Sequence, residues 1–268
     1  MLRKFVDVAL QVLFPRVCPI CGKILIKSEM DEENPFVCKY CRKKILYVKE
    51  PTCFICGKPI DDETEEVCGN CKKIKRYFDR GISLFAHNDD SRKIIYSLKY
   101  GGRKDNADFI GRELALVLGE KILAMEVDAI IPVPLHEKRQ FERGFNQAEL
   151  IAEKFLKNLK QIYGESPPID SEILIRQGKT KRQKNLSTLE RAQNVKNKFC
   201  INKDAIYQRD ENGEIIRKEN GMLVYKNYKN VLLIDDIFTS GATLNECAKT
   251  LKEAGVREVC FLTVSTVA

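Results

Sequence analysis

The sequence lacks any apolar run close to the roughly 20 residues that a membrane-spanning helix needs. Its N-terminus also lacks the features of a secretory signal, because Asp7 and Gln11 interrupt the apolar stretch and no small-residue cleavage site follows. These absences argue against a membrane-spanning segment and predict a cytoplasmic location. Hydrophobic residues make up 44% of the 268 positions, which is enough for a packed core and argues against global disorder.

Residues 1–15 instead have the pattern of a short amphipathic helix that ends near Pro15. One helical face collects the apolar side chains Leu2, Phe5, Val6, Ala9 and Leu13. We expect this helix to dock on its own protein. The alternative is a helix that contacts a membrane or a partner.

Cysteine is abundant: the chain has eleven, and eight of them form four CxxC pairs that all precede residue 72. A secreted protein would use such cysteines in disulfides, but without a secretory signal metal ligation is the better interpretation. The cysteine-rich region, taken as residues 16–76, contains no histidine. Its metal sites are therefore expected to be closed and structural rather than catalytic.

The four pairs form an internal duplication. They are Cys18 and Cys21, Cys38 and Cys41, Cys53 and Cys56, and Cys68 and Cys71. The first and third are close copies (CPICGK and CFICGK), and two CxxC turns together complete one tetrahedral site. We therefore predict a double zinc ribbon with two structural zinc ions; an iron–sulfur cluster is the alternative. The spacing leaves open whether the pairs combine sequentially or in an interleaved order.

From residue 77 onward the pattern changes to that of an α/β domain. Strand-like apolar runs occupy residues 81–87, 129–133, 231–234 and 259–264. Helical patterns occupy residues 91–98, 107–123, 146–159 and 243–254. Strands that alternate with helices favour a mainly parallel, doubly wound sheet, and we take residues 77–268 as one domain.

Residues 231–243 carry the strongest functional signal. A fully apolar strand ends in Asp235 and Asp236, at the edge where parallel sheets bind ligands. A turn of small residues then opens a helix, where N–H groups and hydroxyls favour a phosphate; the turn comprises Thr239, Ser240, Gly241, Ala242 and Thr243. Carboxylates for ribose hydroxyls beside a phosphate loop predict a sugar-phosphate site. The alternative is an ordinary turn in which Asp236 only caps the helix, and the lack of a Gly-Lys-Thr/Ser sequence excludes a P-loop.

A second candidate is the basic segment, residues 176–198, in which eight basic residues and one acidic residue give a net charge of +7. Such a segment suits a polyanion, either nucleic acid or a diphosphate, and the alternative is a solvated loop without a ligand. Upstream, Arg139 and Arg143 stand near Phe141 and Phe145. That arrangement favours contact with a diphosphate or with stacked bases, unless it is only surface charge.

Residues 231–243 resemble the motif with which type I phosphoribosyltransferases bind 5-phosphoribosyl diphosphate (PRPP), although Phe238 replaces the usual aliphatic residue. Three further features together resemble the ComF family of natural-competence proteins. These are the double zinc ribbon, the run IPVPLH with Arg139 and ERGFNQA in residues 131–148, and the positions Thr180, Gln183, Leu186, Arg191, Asn194 and Phe199. The resemblance covers nearly the whole chain and is weakest over residues 24–36 and 200–228.

The resemblance implies a type I phosphoribosyltransferase fold with a five-stranded parallel core behind the zinc ribbon. It implies that Asp235 and Asp236 face the ribose, that residues 239–243 hold the 5-phosphate, and that magnesium binds together with PRPP. Lys99 with Gly101 and Gly102 would bind pyrophosphate, and Arg139, Arg143 and the basic segment would form a mobile hood. We take Lys99, Arg143, Asp235 and Asp236 as the catalytic residues. His136 is either a general base or a structural residue.

In the ComF family the implied role is the handling of incoming single-stranded DNA during transformation. Three functions stay open: transfer of ribose phosphate from PRPP to an unknown acceptor, binding of single-stranded DNA by a non-catalytic PRPP fold, and recruitment of a DNA-uptake motor or recombination protein. Transfer itself requires bound pyrophosphate, Mg²⁺ and a water-excluding site, with no cysteine, histidine or serine nucleophile.

Overall fold

The computed structural model describes residues 15–62, 64–177, 188–217, 222 and 226–267. The predicted N-terminal helix, apart from Pro15, lies outside the described residues, as does the 178–187 part of the basic segment. Among the helices within those ranges, none combines the length and apolar character that a membrane span requires.

Helices and strands alternate along the second part of the described chain. The helices are α1 (Lys39–Arg42), α2 (Gly69–Lys73), α3 (Asp89–Tyr100), α4 (Asn106–Leu123), α5 (Glu137–Arg143), α6 (Gln147–Tyr163), α7 (Thr188–Val195) and α8 (Ala242–Glu253). The strands are β1 (Arg80–Ala86), β2 (Ala129–Pro132), β3 (Leu174–Arg176), β4 (Phe199–Ile201), β5 (Asn230–Phe238) and β6 (Glu258–Thr266). The predicted α/β alternation is therefore confirmed.

The central sheet is parallel and has the strand order β1-β6-β5-β2, whereas β3 and β4 form a separate antiparallel pair. The resemblance implied five parallel strands, but in the described residues the fifth position is a single parallel bridge between Ile130 and Ile169. Pro167 and Pro168 precede Ile169, and prolines cannot donate hydrogen bonds to a strand ladder. The fifth strand is therefore reduced to one pairing beside β2.

Strand β5 serves two hydrophobic cores because its side chains alternate between the faces of the sheet. Leu232 and Ile234 pack with the buried side of α3, α4 and α6, and the buried cysteines of the first two CxxC pairs join this core. Val231 and Leu233 pack with α8, β3 and β4, and the cysteines of the last two CxxC pairs join that core. The two halves of the zinc ribbon thus lie on opposite faces of the sheet.

Two elements extend farther than their sequence patterns predicted. Strand β5 runs to Phe238, so that Asp235 and Asp236 belong to the strand rather than to the turn that follows it. Helix α6 continues to Tyr163 and ends at Gly164, which adopts a left-handed φ of 84°. Both extensions come from tertiary packing, since polar residues interrupt the local apolar pattern in each case.

Candidate functional site

The eight CxxC cysteines form two clusters, and within each cluster all four Sγ atoms lie within 4.8 Å of one another. The first cluster contains Cys18, Cys21, Cys38 and Cys41, and the second contains Cys53, Cys56, Cys68 and Cys71. Consecutive pairs therefore combine, which resolves the order that the spacing left open in favour of sequential pairing.

The sulfur spacing in each cluster fits one zinc ion. Zinc–thiolate bonds of about 2.3 Å in a tetrahedron place the sulfur atoms roughly 3.8 Å apart. The Sγ atoms of Cys21 and Cys38 are 3.9 Å apart, and those of Cys56 and Cys68 are 3.7 Å apart. A multi-iron cluster distributes its thiolates over several metal atoms and separates them farther. The two four-cysteine sites therefore fit structural zinc.

The first knuckle of each ribbon has the same backbone geometry. In both, the first cysteine donates its N–H to the carbonyl of the lysine five residues later, at 2.8 and 2.7 Å. A glycine with positive φ closes each turn, Gly22 at +75° and Gly57 at +67°. The sequence duplication is therefore a structural duplication.

A cleft of about 180 Å³ opens at the carboxyl ends of β2 and β5, the position where open parallel sheets bind ligands. Its polar lining comprises Lys99, Arg139, Arg143, Gln147, Arg176, Asp235, Asp236 and the loop residues 239–243. Except for Gln147, these positions come from the predicted site or from the basic segment. Side chains from several separate elements and the loop thus converge on one cleft.

Two carboxylates form the acidic part of the cleft. Lys99 Nζ lies 2.5 Å from the buried Asp236 Oδ2 without the alignment of a hydrogen bond, so the contact is an ion pair. Asp235 accepts the backbone N–H of Asp236 at 2.8 Å. Burial, and secondly the charge of Asp236, raise the pKa of Asp235 to about 7, with partial offset from Lys99. The pair therefore holds less than two full negative charges near neutral pH.

The loop after β5 turns into α8 through Gly241, which has a φ of +74°. A Cβ at that position would lie 2.7 Å from the Phe238 ring, so only glycine fits. Residues 241–244 line the cleft, and the N-terminus of α8 therefore forms part of its wall. The partial positive charge of a helix N-terminus favours a bound anion.

Arginines form the basic part of the cleft lining. Arg143 donates to the Gln147 side chain at 2.6 Å and to the Tyr100 hydroxyl at 3.0 Å. Arg176 lies over the Phe199 ring at 5.3 Å. Arg139 lines the same cleft, and burial, and then the charge of Arg139, lower the pKa of Arg176. Such neighbouring cations are suited to a polyanion such as a diphosphate.

Local sequence explains how these side chains are held. Gly144, with a φ of 73°, ends α5 directly after Arg143. Asn146 then caps α6 by accepting the N–H of Ala148 at 3.0 Å, and donates to the Val133 carbonyl at the end of β2 at 3.2 Å. The Arg-Gly-Phe-Asn stretch thus fixes the arginine helix to the end of the central sheet.

Some predicted positions lie away from the cleft. Gly101 and Gly102 are exposed in the turn after Lys99 and do not line it, and their part in pyrophosphate binding stays a prediction. His136 accepts the N–H of Lys138 on Nδ1 at 3.1 Å and caps α5. That geometry fits the structural alternative for His136.

Sequence reasoning missed two residues that the structure emphasises. Arg76 contacts the loop at residues 239–243, but in the sequence it ends a lysine-rich run that is indistinguishable from solvated surface charge. Glu113 is fully buried in α4. The available signal was its place between Ile110 and Leu114, since a carboxylate within an apolar helical stripe requires buried partners.

The fold and the site together define a class of protein: a double zinc ribbon followed by an α/β domain of the type I phosphoribosyltransferase fold. The family model described as Double zinc ribbon domain matches residues 9–72. That match covers both four-cysteine clusters.

Comparison with known proteins identifies the family. The chain is 30% identical to Competence protein F of Haemophilus influenzae over 233 residues, which are 83% of this chain and 87% of that protein. It is 26% identical to Competence protein ComFC of Bacillus subtilis over 82% of this chain and 79% of that protein. It is 24% identical to DNA utilization protein YhgH of Escherichia coli K12, over 91% and 94% of the two chains. The chain belongs to the ComF family.

Proposed function

We propose that the cleft binds PRPP and that the protein acts in DNA uptake. The observation that carries the first part is the juxtaposition of two carboxylates, of which Asp236 is buried, with a helix-opening loop, inside a cleft lined by one lysine and three arginines. A binding site for phosphate alone would have no use for two acids. A ligand with both vicinal hydroxyls and phosphate groups uses both parts.

Each part of the cleft has a role in this proposal. Asp235 and Asp236 accept hydrogen bonds from ribose hydroxyls, and Lys99 moves from Asp236 to the ligand's phosphate oxygens. The loop at residues 239–243 donates hydrogen bonds to the 5-phosphate. It leads into the N-terminus of α8, where backbone N–H groups and hydroxyls are available to an anion. Arg139, Arg143 and Arg176 balance the charge of the diphosphate.

Magnesium fits the same cleft through its oxygen donors, since Mg²⁺ prefers carboxylate, phosphate and water oxygens. Asp235 and Asp236 offer carboxylate oxygens, and the diphosphate of PRPP would supply the remaining ones. Bound there, the ion would neutralise charge on the departing diphosphate.

The reaction that this site suits is transfer of ribose 5-phosphate. The bond between C1 of the ribose and the diphosphate oxygen breaks, the diphosphate leaves with the bonding pair, and a nucleophilic acceptor forms the new bond at C1. The protein's part is to hold both ends of PRPP and to stabilise the leaving group with the arginines. The acceptor is not identified.

Calorimetric titration of PRPP with Mg²⁺ tests the site. Wild type is expected to bind, and Asp235→Asn/Asp236→Asn is expected to bind about 100-fold more weakly, because two charged hydrogen-bond acceptors are lost. The matched control is Asp89→Asn/Asp90→Asn, an acid pair at the start of α3 that lies outside the cleft, which should bind as wild type. A zinc-loaded wild type that does not bind PRPP would refute the proposal.

A second function, binding of single-stranded DNA, is favoured by exposed aromatics at the rim of the cleft. Tyr96 and Tyr100 are 62% and 63% exposed and their ring centroids lie 5.0 Å apart. Arg143 lies over the Tyr100 ring at 4.9 Å. Aromatic rings beside cations are the surface on which unpaired bases stack. The competence and DNA utilization proteins among the relatives support this role in DNA uptake.

Binding of a labelled single-stranded oligonucleotide at several salt concentrations tests this role. Affinity should fall steeply with salt, because cation–phosphate contacts release counterions. Tyr100→Ala should weaken binding by about tenfold through loss of base stacking. Tyr40→Ala is the control, since Tyr40 is also exposed but lies on the first ribbon. Equal binding by both variants would exclude the rim as the DNA surface.

A further inference from the structure

The phosphate loop is a wall between two cavities. Thr239 and Ser240 line the cleft on one side and, on the other, a second cavity that also contacts Cys56 and Cys68 of the second zinc cluster. Arg76 lies in this second cavity and donates from Nη1 to the Ser240 carbonyl at 3.1 Å. A single guanidinium group therefore connects the zinc ribbon to the back of the phosphate loop.

This contact fixes the direction of one peptide group. A trans peptide is planar, so its carbonyl and its N–H point in opposite directions. Because the Ser240 carbonyl is drawn toward Arg76, the Gly241 N–H of the same peptide points away from Arg76, to the cleft side. Within the described residues no acceptor takes that N–H. It is therefore available to an anion in the cleft.

The packing around Arg76 leaves little freedom. A Cβ on Gly241 would lie 3.3 Å from Arg76 Nη1, so the loop rests directly on the guanidinium group. The group also lies over the Phe78 ring at 5.5 Å. Its Nε is buried and has no hydrogen-bond partner among the described residues. Arg76 is thus held by stacking and by the loop carbonyl.

The chain on either side of Arg76 is fastened to the same helix. Asn245, in the first turn of α8, accepts the N–H of Tyr77 at 2.7 Å and donates to the Lys75 carbonyl at 3.4 Å. The segment that leaves the second ribbon is therefore attached to the helix that opens the phosphate loop.

The second zinc cluster faces Arg76 with negative charge. Four thiolates around Zn²⁺ carry a net charge of −2, and Arg76 stands five residues after the ligand Cys71. Arg76 lines the second cavity together with Cys56 and Cys68, and it lines a neighbouring surface pocket together with Cys71. The thiolate cluster is therefore an electrostatic anchor for the Arg76 side chain.

We propose that Arg76 is a positioning residue that, anchored by the second zinc cluster, orients the Ser240–Gly241 peptide for the 5-phosphate. The inference rests on the proposed PRPP site and assigns the second ribbon a part in it. The first ribbon, on the opposite face of the sheet, has no such part.

The test compares wild type with Arg76→Met and Arg76→Lys by calorimetric titration of PRPP with Mg²⁺, with zinc content measured for each protein. Loss of a charged hydrogen bond that orients the loop should weaken binding by about 10- to 100-fold in Arg76→Met. Millimolar guanidinium chloride, which can enter the vacated cavity, should restore much of the affinity, whereas equal sodium chloride should not. A purely structural defect would not respond to guanidinium.

Zinc-ligand variants separate the two ribbons. Cys71→Ser should weaken PRPP binding at least tenfold, and the matched Cys41→Ser should leave it within about twofold. If Arg76→Met loses zinc, the PRPP affinity of Arg76→Lys decides, because this variant keeps the positive charge but loses the planar guanidinium donor. Arg76→Lys should then bind PRPP more weakly than wild type. Wild-type affinity in an intact Arg76 variant overturns this inference and leaves the proposed function standing. If wild type itself fails to bind PRPP, the proposed function fails instead.

Discussion

The two zinc ribbons share the same metal-binding turn but dock on the sheet by different chemistry. The first ribbon lies over α4 and is held by a buried polar network. The second lies against β1 and the loop at residues 239–243, and is held by close backbone packing and by Arg76. Duplication therefore produced two similar metal sites, and the residues outside the CxxC turns determine what each ribbon does.

Glu113 is the centre of the first docking surface. It is fully buried and accepts hydrogen bonds from Asn34 at 2.6 Å, from Arg42 at 3.3 Å and from the Tyr47 hydroxyl. Arg42 also donates to Asp31 at 2.6 Å. A fully satisfied buried carboxylate of this kind specifies one docking geometry, because every alternative would leave a charge without a partner.

The second docking surface depends on glycine instead. The backbone of Gly57 lies so close to β1 that a Cβ there would be 2.3 Å from the Gly81 carbonyl oxygen. A Cβ on Gly81 would in turn lie 2.7 Å from the Cys56 carbonyl oxygen. Such close backbone contact fixes the second zinc knuckle relative to the sheet. A fixed position suits a ribbon whose Arg76 contacts the loop at residues 239–243.

The largest expected effect comes from removing the centre of the first docking surface. Glu113→Ala should lower the free energy of unfolding by about 3 kcal/mol, because Arg42 and two neutral donors lose a buried acceptor. Urea titration in zinc-containing buffer measures this. Glu32→Ala, at an exposed position, should change it by less than about 0.5 kcal/mol. PRPP affinity of Glu113→Ala below its unfolding transition should stay at the wild-type value; a loss would break the distinction between the ribbons.

Equivalent knuckle glycines give a sharper comparison. Gly22→Ala should cost about 1 kcal/mol, since both glycines have positive φ but a Cβ on Gly22 meets nothing within 4 Å. Gly57→Ala should lower the free energy of unfolding by about 2 kcal/mol more than Gly22→Ala does, because its Cβ collides with the backbone of Gly81. Unfolding measured by urea titration for both variants should show this order. Equal costs would mean that the second ribbon can move away from β1.

The smallest predicted effect is the dependence of stability on pH that Asp235 causes. The pKa of Asp235 is raised to about 7, so the folded protein binds this proton more tightly than the unfolded chain does. Wild-type stability should therefore fall as pH rises from about 4 through about 7. Asp235→Asn removes this loss of stability. The free energy of unfolding of Asp235→Asn minus that of wild type should be at least about 1 kcal/mol greater at pH 8 than at pH 5.

Urea titrations at the two pH values measure the difference, and Asp89→Asn serves as the exposed control with the same effect at both. An advantage of Asp235→Asn that is independent of pH would show that Asp235 titrates normally.

Sequence patterns predicted the parts of the molecule that depend on local residue order. The CxxC turns, the strand that delivers Asp235 and Asp236, and the glycine at position 241 were all readable, because each has a short-range physical requirement. The pairing of the knuckles was not readable, since either order fits the spacing. The length of β5 was also underestimated, because pairing with β6 continues through polar residues.

Contacts between residues far apart in the sequence determine the features that sequence patterns did not predict. Arg76 and Ser240 are 164 positions apart, and nothing near Arg76 in the sequence distinguishes it from the lysines before it. Asn34 reaches Glu113 from 79 positions away. Such pairs form because each ribbon covers a particular face of the sheet. Tertiary packing determines that face, and no local sequence pattern indicates it.

The most direct test of this account is the crystal structure of the zinc-loaded protein with PRPP and Mg²⁺. That structure should show the 5-phosphate against residues 239–243 with the Gly241 N–H donating to it, ribose hydroxyls on Asp235 and Asp236, and Arg76 still on the Ser240 carbonyl. A ligand bound elsewhere, or a loop whose Ser240 carbonyl turns into the cleft, would contradict it.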